Sequence, residues 1–295
     1  MKKLTLILIC LLAVSQATLL GQNNKNEPDT SLIHRGFDFV IAGGAYFGNK
    51  YSANYYNGSP QNENSLNYLF DNKYYYDQIN ELVKSNHHYI SDSVFLGELP
   101  QDMRYNPAMA ISFGFKYKLN KNWGISLYYS FAKVTATDLF LLTYKGETGN
   151  YHDGYIEAHL VGKEARSMFD LSVSYIFHPS KIVKPFIDFG LQFNYVKVQR
   201  FFALIEDQEF ELLDYYNGAN YVPGVDMQKY NVIFGGAGYG ISASAGIKLA
   251  FNRYISIDPT FYLSASSFGL TGYKDIRLNY GAFIRVTMSD LVFMK

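Results

Sequence analysis

The chain has one cysteine among its 295 residues, Cys10, and it falls within an N-terminal apolar stretch. The rest of the chain can therefore form no disulfide, thiolate metal site or thiol nucleophile. A charge excess of either sign is also missing, with 26 basic against 26 acidic residues. Such a balance supplies no basic face for a nucleic-acid partner. Past the N-terminus, no apolar run approaches the length of a membrane-spanning helix. If the chain enters a bilayer, strands must make the crossing, because only helices and closed barrels satisfy their own backbone groups there.

The first residues are Met1, Lys2 and Lys3, an apolar run over 4–14, then Ser15, Gln16 and Ala17. A charged start, an apolar middle and a small-residue cleavage site make a secretory signal peptide. Cleavage is expected after residue 17 or 21. Ile9 stands where a lipoprotein site needs a small residue, so Cys10 is not expected to carry a lipid. The expected organisation is a signal peptide over 1–21, a periplasmic segment over 22–34, a barrel over 35–290 and a tail over 291–295. Loss of Lys2 and Lys3 leaves the mature chain two basic residues short of balance.

Aromatic residues are abundant, at 17% with 27 Tyr and 23 Phe. They recur with period two, the signature of a strand between two unlike environments. Phe37, Phe39 and Ile41 share one face of the first such segment. Ile111, Phe113 and Phe115 alternate with Ser112, Gly114 and Lys116 in the next, and Leu127, Tyr129 and Phe131 with Tyr128 and Ser130 after it. Similar alternation follows at 169–177, 187–195, 241–249, 255–263 and 278–286. The fold class expected is all-β, an antiparallel transmembrane barrel of about eight strands. Connections at 120–122, 178–184 and 252–254 are short, whereas those at about 48–106, 138–165 and 201–237 are long. Tight periplasmic turns and long extracellular loops alternate in this way in outer-membrane barrels.

The apolar face must meet lipid. About five large side chains per strand would overfill the interior of an eight-stranded barrel. The other face, mostly Gly, Ser, Ala, Asn and Thr, is too poorly charged for a soluble surface and suits a crowded lumen. Its few charges nearly balance: Asp38, Asp170, Asp188 and Asp258 against Lys116, Lys118, Lys248, Arg277 and Arg285. Charges removed from water need partners, so an ion-pair cluster filling the periplasmic half of the lumen is expected. Tyr117, Trp123, Tyr175, Phe177 and Phe251 gather beside the short turns, where rings favour the membrane–water boundary.

Three further segments carry the pattern of a known group: 116–123 and 246–254 at short turns, and the last strand with Asn279, Gly281, Ile284 and Val286. With the topology over about 35–290, the chain resembles the small outer-membrane β-barrel families. These include the OmpA transmembrane domain, OmpX and the porin-like barrel domains of gliding and gut-dwelling bacteria. The resemblance implies outer-membrane lipid around the barrel, the barrel-assembly machinery as a partner in biogenesis, and no cofactor. The last strand looks like the assembly signal that machinery reads, although a tail follows it.

Chemistry is sparse. His152, Asp153, Glu157 and His159 lie together in the third connection, but neither histidine has a serine two residues on, as the barrel-shaped lipid A deacylases do. No catalytic, cofactor or metal residue is assigned. Residues 235–240 are glycine-rich but lead into a strand, unlike a phosphate loop. Asp207, Glu209 and Glu211 would share one extended face and read as a solvated acidic loop. In the first connection Leu66, Leu69, Phe70, Ile79, Leu82 and Val83 hint at a short helix. The function expected is non-enzymatic: loops displayed for a surface partner or an envelope protein complex. Small-solute transport and an outer-leaflet lipid-modifying enzyme are the alternatives.

Overall fold

A computed structural model describes residues 36–87, 93–144, 154–179, 183–216, 225–230, 232–252 and 254–289. The expected signal peptide, the 22–34 segment, the 291–295 tail, and His34, His88, His152 and Asp153 lie outside these. Ten strands form one sheet: β1 (Phe37–Phe47), β2 (Phe95–Leu96), β3 (Ala108–Lys118), β4 (Trp123–Tyr144), β5 (Gly154–Ile176), β6 (Val183–Ile205), β7 (Gln208–Glu211), β8 (Gly235–Ala250), β9 (Ile255–Ser266) and β10 (Arg277–Ser289).

All pairings are antiparallel, and they run in a cycle. β1 pairs β3, β3 pairs β4, β4 pairs β5, and β5 pairs β6. β6 pairs β8, β8 pairs β9, β9 pairs β10, and β10 returns to β1 from Asp38↔Ser289 to Phe47↔Tyr280. The sheet has ten strands rather than eight because two short ones lie beside this cycle. β2 pairs the far end of β4, and β7 folds back on β6.

Burial follows the period-two pattern. Phe113, Phe115, Leu127, Phe169, Leu171, Phe189, Leu191 and Phe261 are exposed on the outer face, while Ser112, Ser126, Ser172, Ser174, Gln192, Ser242, Ser244 and Thr260 are buried inside. Large inward rings need space opposite them. A Cβ on Gly114 would lie 2.2 Å from the Tyr128 ring, so this position has to be glycine for the ring to fit. The glycine run at 235–240 does something else. A Cβ on Gly238 or Gly240 would strike the backbone carbonyls of Ser267 and Ala265, so those glycines admit a neighbouring backbone rather than a ring.

The expected loop over 138–165 is corrected by the structure. β4 and β5 pair continuously from Trp123↔Tyr175 to Tyr144↔Gly154, leaving only 145–153 outside the described residues. Along this hairpin the apolar phase inverts. Tyr129 and Phe131 point out, yet beyond them Ala132, Val134, Ala136 and Phe140 are buried inside. β5 and β6 do likewise, with buried Ala158 and Leu160, and buried Val196 and Val198. At that level the apolar side chains turn inward to a core.

The core partner is the first connection. It holds α1 (Lys50–Ala53), a 3-10 turn (Asn54–Tyr56), α2 (Asn67–Phe70) and α3 (Lys73–Asn86). The Asn72 side chain caps α3 by accepting from the Tyr74 backbone N–H at 3.0 Å. Ile79 and Val83 face the core from one side of α3, one helical turn apart. Asn80 fastens the following chain, its Oδ1 accepting from Val94 N at 2.7 Å. Tyr55, Tyr56, Leu66, Leu69, Ile79 and Met103 pack against Phe140, Leu160 and Phe201 in one cluster.

Gly114→Val should lower stability by about 1–3 kcal/mol, the usual cost of overpacking. The urea midpoint of the protein in lipid vesicles checks this, and Gly43→Val, with open space around its Cβ, should move it less.

Candidate functional site

Inside the strand cycle the polar side chains form two layers. The lower one lies toward the short turns. There Lys118 Nζ donates to Asp38 Oδ1 at 2.7 Å, and Lys248 Nζ stands 3.7 Å from Asp38 Oδ2. Arg285 Nη1 donates to Asp188 Oδ2 at 2.6 Å, and its Nη2 to Ser244 Oγ at 3.0 Å. The Arg285 guanidinium also covers the Tyr128 ring at 4.7 Å. Lys116 is buried, donating to Ser174 Oγ at 2.5 Å and lying 5.7 Å from the Phe186 ring centre.

Two of the expected carboxylates are held by neutral donors instead of cations. Asp258 accepts from Thr287 Oγ1 at 2.7 Å. Asp170 accepts from the Tyr262 hydroxyl and from Gln192 Nε2, each at 3.3 Å. Arg277 does not belong to the inner cluster. It begins β10 at the long-loop end, is exposed, pairs with Asp275 at 3.0 Å and lies 4.5 Å from the Tyr51 ring. Alternation counted back along β10 assigns Arg277 to the inner face, but the strand starts there and its end leaves the side chain in water.

The upper layer holds a pair that sequence reading missed. Arg166 and Glu164 are both fully buried, with Arg166 Nε donating to Glu164 Oε1 at 2.6 Å. Arg166 Nη1 donates to the Tyr46 hydroxyl at 3.1 Å and Nη2 to Ser52 Oγ at 3.2 Å. Its guanidinium carbon lies 3.9 Å from the Phe268 ring centre and 4.5 Å from that of Tyr105. The other Glu164 oxygen accepts from the Tyr56 hydroxyl at 2.5 Å. Burial, reinforced by the Glu164 carboxylate, holds the Tyr56 phenol well above the usual tyrosine range, so it stays a donor. Ser52 and Tyr56 belong to the first connection, which is thereby clamped to β5. The signal for this pair was the inward phase of Glu164 and Arg166, two residues apart on a strand.

The first and fifth connections also meet: His87 Nε2 and Glu206 Oε1 lie 2.8 Å apart. The acidic stretch is not wholly solvated, since Arg200 bonds Glu209 at 2.6 Å and lies 3.6 Å from Glu211. Glu157 and His159 sit exposed on the outer face of β5. Among the described residues, no group of three His, Cys, Asp or Glu side chains could hold a metal ion.

Between the layers lies a cavity of about 30 Å³ bordered by Asp170, Asp188, Tyr262 and Arg285. About 10–15 Å³ of such space admits one water, so the cavity has room for roughly two or three. Outside, Trp123 packs on Tyr175 at 4.8 Å, Tyr175 on Phe177 at 4.9 Å, and Phe37 on Tyr117 at 4.9 Å, all near the short turns. Phe251 is exposed at the same end. Tyr129 on Phe169, at 4.8 Å, stands near the opposite edge of the apolar belt. Strands wearing such a belt present an apolar outer face of the kind that suits lipid, and no helix among the described residues is long and apolar enough to cross a membrane.

Comparison with protein-family models and with curated proteins gives no match. Solved structures of small outer-membrane proteins are similar in outline. Neisserial surface protein A aligns at 9% identity over 86% of this chain and 97% of its own, with a TM-score of 0.41. OprG from Pseudomonas aeruginosa aligns at 10% over 87% and 95%, with a TM-score of 0.32. The N-terminal β-barrel domain of Pseudomonas aeruginosa OprF aligns at 10% over 86% and 98%, with a TM-score of 0.33. Values this low assign neither a family nor an activity.

Arg166→Met should cost about 3–5 kcal/mol, because it strands a buried carboxylate, whereas Glu164→Gln with Arg166→Met should cost less. Urea midpoints of the two variants check this. A second expectation concerns pH. The raised Tyr56 phenol contributes stability that is full below the ordinary tyrosine value of 10.0 and is lost as pH rises above it. Protease resistance of the first connection should therefore fall in the alkaline range, and Tyr56→Phe should flatten that fall.

Proposed function

We propose that the eight long strands form a closed transmembrane barrel in the bacterial outer membrane, without a diffusion pore and without catalysis. Its work is done by the surface on the long-loop side. The observation that carries this reading is the filled interior: ion pairs below, a cavity of about 30 Å³ between, and the Arg166–Glu164 clamp under a folded first connection above. The lower ion pairs serve as a structural plug, and the aromatics Tyr117, Trp123, Tyr175, Phe177 and Phe251 as the girdle on the short-turn side. A solute the size of a sugar has no route through. Each of the lumen carboxylates and lysines named above has at least one partner, a charge, a hydroxyl or an amide.

The exposed material above the belt is the extended β4–β5 hairpin and the outer side of the first connection. Tyr155 on β5 and Tyr74 on α3 are large, exposed and aromatic. Such rings give contact area at low entropy cost, as protein-binding surfaces do. The partner class is a surface or envelope protein. A photo-crosslinking residue at Tyr155 or Tyr74 in intact cells should capture a discrete protein band, and planar bilayers should show no large stepwise conductance. Porin-sized steps with no crosslinked product would reverse the assignment in favour of transport.

A further inference from the structure

The outer face of β4, β5 and β6 changes abruptly at one level. Phe131, Ser167 and Tyr195 lie in register as the last rung of the apolar belt. From there to the short turns, no outward residue on these strands is charged; they are Trp123, Ile125, Leu127 and Tyr129, then Phe169 to Phe177 and Pro185 to Phe193 at alternate positions. The rung above is Lys133, Ala165 and Lys197, and the next is Thr135, Lys163 and Arg200.

The last of these cations reaches the outer face by a break in the alternation. Val196 and Val198 are buried inward, so residue 200 would follow them in. A register shift between Lys163 and Glu164 instead sets Lys163 opposite Arg200 and turns Phe201 into the core. Bulges commonly re-aim a side chain in this way. Arg200 then lies 4.5 Å from the Phe202 ring centre, and Lys163 Nζ is 5.5 Å from the same ring.

Arg200 is neutralised by Glu209 and Glu211. No carboxylate among the described residues lies within ion-pair distance of Lys133, Lys163 or Lys197. Strand and rung spacings confine the three ammonium-bearing residues to a patch about 10 Å across. Like charges so close repel unless an anion joins them. Their level, one rung above lipid-facing rings, is where a bilayer carries its headgroups, and long lysine side chains reach that level readily.

We infer that Lys133, Lys163 and Lys197 bind the phosphate monoester of a lipid whose acyl chains lie on Phe131, Phe169, Phe193 and Tyr195. The site rests on the barrel reading above, which places lipid against those rings. A dianionic phosphate matches a compact group of uncompensated ammonium groups, while the belt beneath selects an amphiphile over a free anion.

Native mass spectrometry of the folded protein in detergent micelles tests this, with phosphatidic acid, phosphatidylcholine of the same acyl chains and inorganic phosphate as probes. Phosphatidic acid should be retained in preference to phosphatidylcholine. That preference should fall by roughly five-fold per lysine replaced, disappearing in Lys133→Gln/Lys163→Gln/Lys197→Gln. A charge-matched control, Lys50→Gln/Lys73→Gln/Lys84→Gln, should keep it. Equal retention of the two lipids, an unchanged preference in the first triple variant, or displacement of phosphatidic acid by inorganic phosphate would each overturn the site. Heat-modifiable gel mobility separates the two readings. A heat-modifiable protein without lipid preference overturns the site alone, and a chain with no heat-modifiable form overturns the barrel as well.

Discussion

Hydrocarbon offers no partner to a backbone N–H or C=O, and the cyclic pairing of strands answers that constraint. From Asp38↔Ser289 onward, β1 and β10 close the cycle that β4 and β5 continue on the far side. Once the backbone is satisfied, period two sorts the side chains. Each strand sends phenylalanine, isoleucine and leucine outward, and serine, glycine and charge inward. The inner charges then have to find one another, and Asp38, Asp188, Lys118, Lys248 and Arg285 do so within a few ångströms. An eight-strand cycle leaves an interior only just wide enough for side chains to fill.

The same alternation, followed further along the chain, marks where one kind of interior gives way to another. Above Phe131, Ser167 and Tyr195 the apolar residues change to the inward phase. The polar interior below gives way to a cup holding an ordinary hydrophobic core above. The first connection fills that cup with Tyr55, Tyr56, Leu66, Leu69 and Ile79. Arg166 and Glu164 stand where the polar and apolar interiors meet. They are tolerable there because each has its charge partner and hydroxyl donors or acceptors around it.

Much of this was legible in the sequence, within definite bounds. The eight long strands, their short turns and their exposed apolar face followed from odd-numbered Phe, Leu and Ile in segments such as 123–131 and 169–177. The continuation of β4 to Tyr144 and of β5 back to Gly154 did not. Ala132, Val134 and Ala136 break the odd-numbered apolar rhythm, and an inverted phase looks like a loop when only one phase is counted. The burial of Glu164 and Arg166 was hidden for the same reason. Arg277 went astray because a strand's end cannot be seen in its alternation. The short pairings of β2 and β7 depend on where connections fold back, which no local pattern encodes. The one short helix hinted at by Leu66, Leu69, Phe70, Ile79, Leu82 and Val83 is two, α2 and α3, the second capped by Asn72.

Lipid outside and polar groups inside is the claim on which the rest stands. Because the only cysteine is Cys10, single cysteines can be introduced one at a time along β5 from Met168 to Ile176 and spin-labelled in reconstituted bilayers. Oxygen accessibility should be high at Phe169, Leu171, Val173 and Tyr175, and low at Met168, Asp170, Ser172 and Ser174. Uniform accessibility along the strand, or a polar relaxation agent reaching the odd positions as readily as oxygen does, would contradict the account.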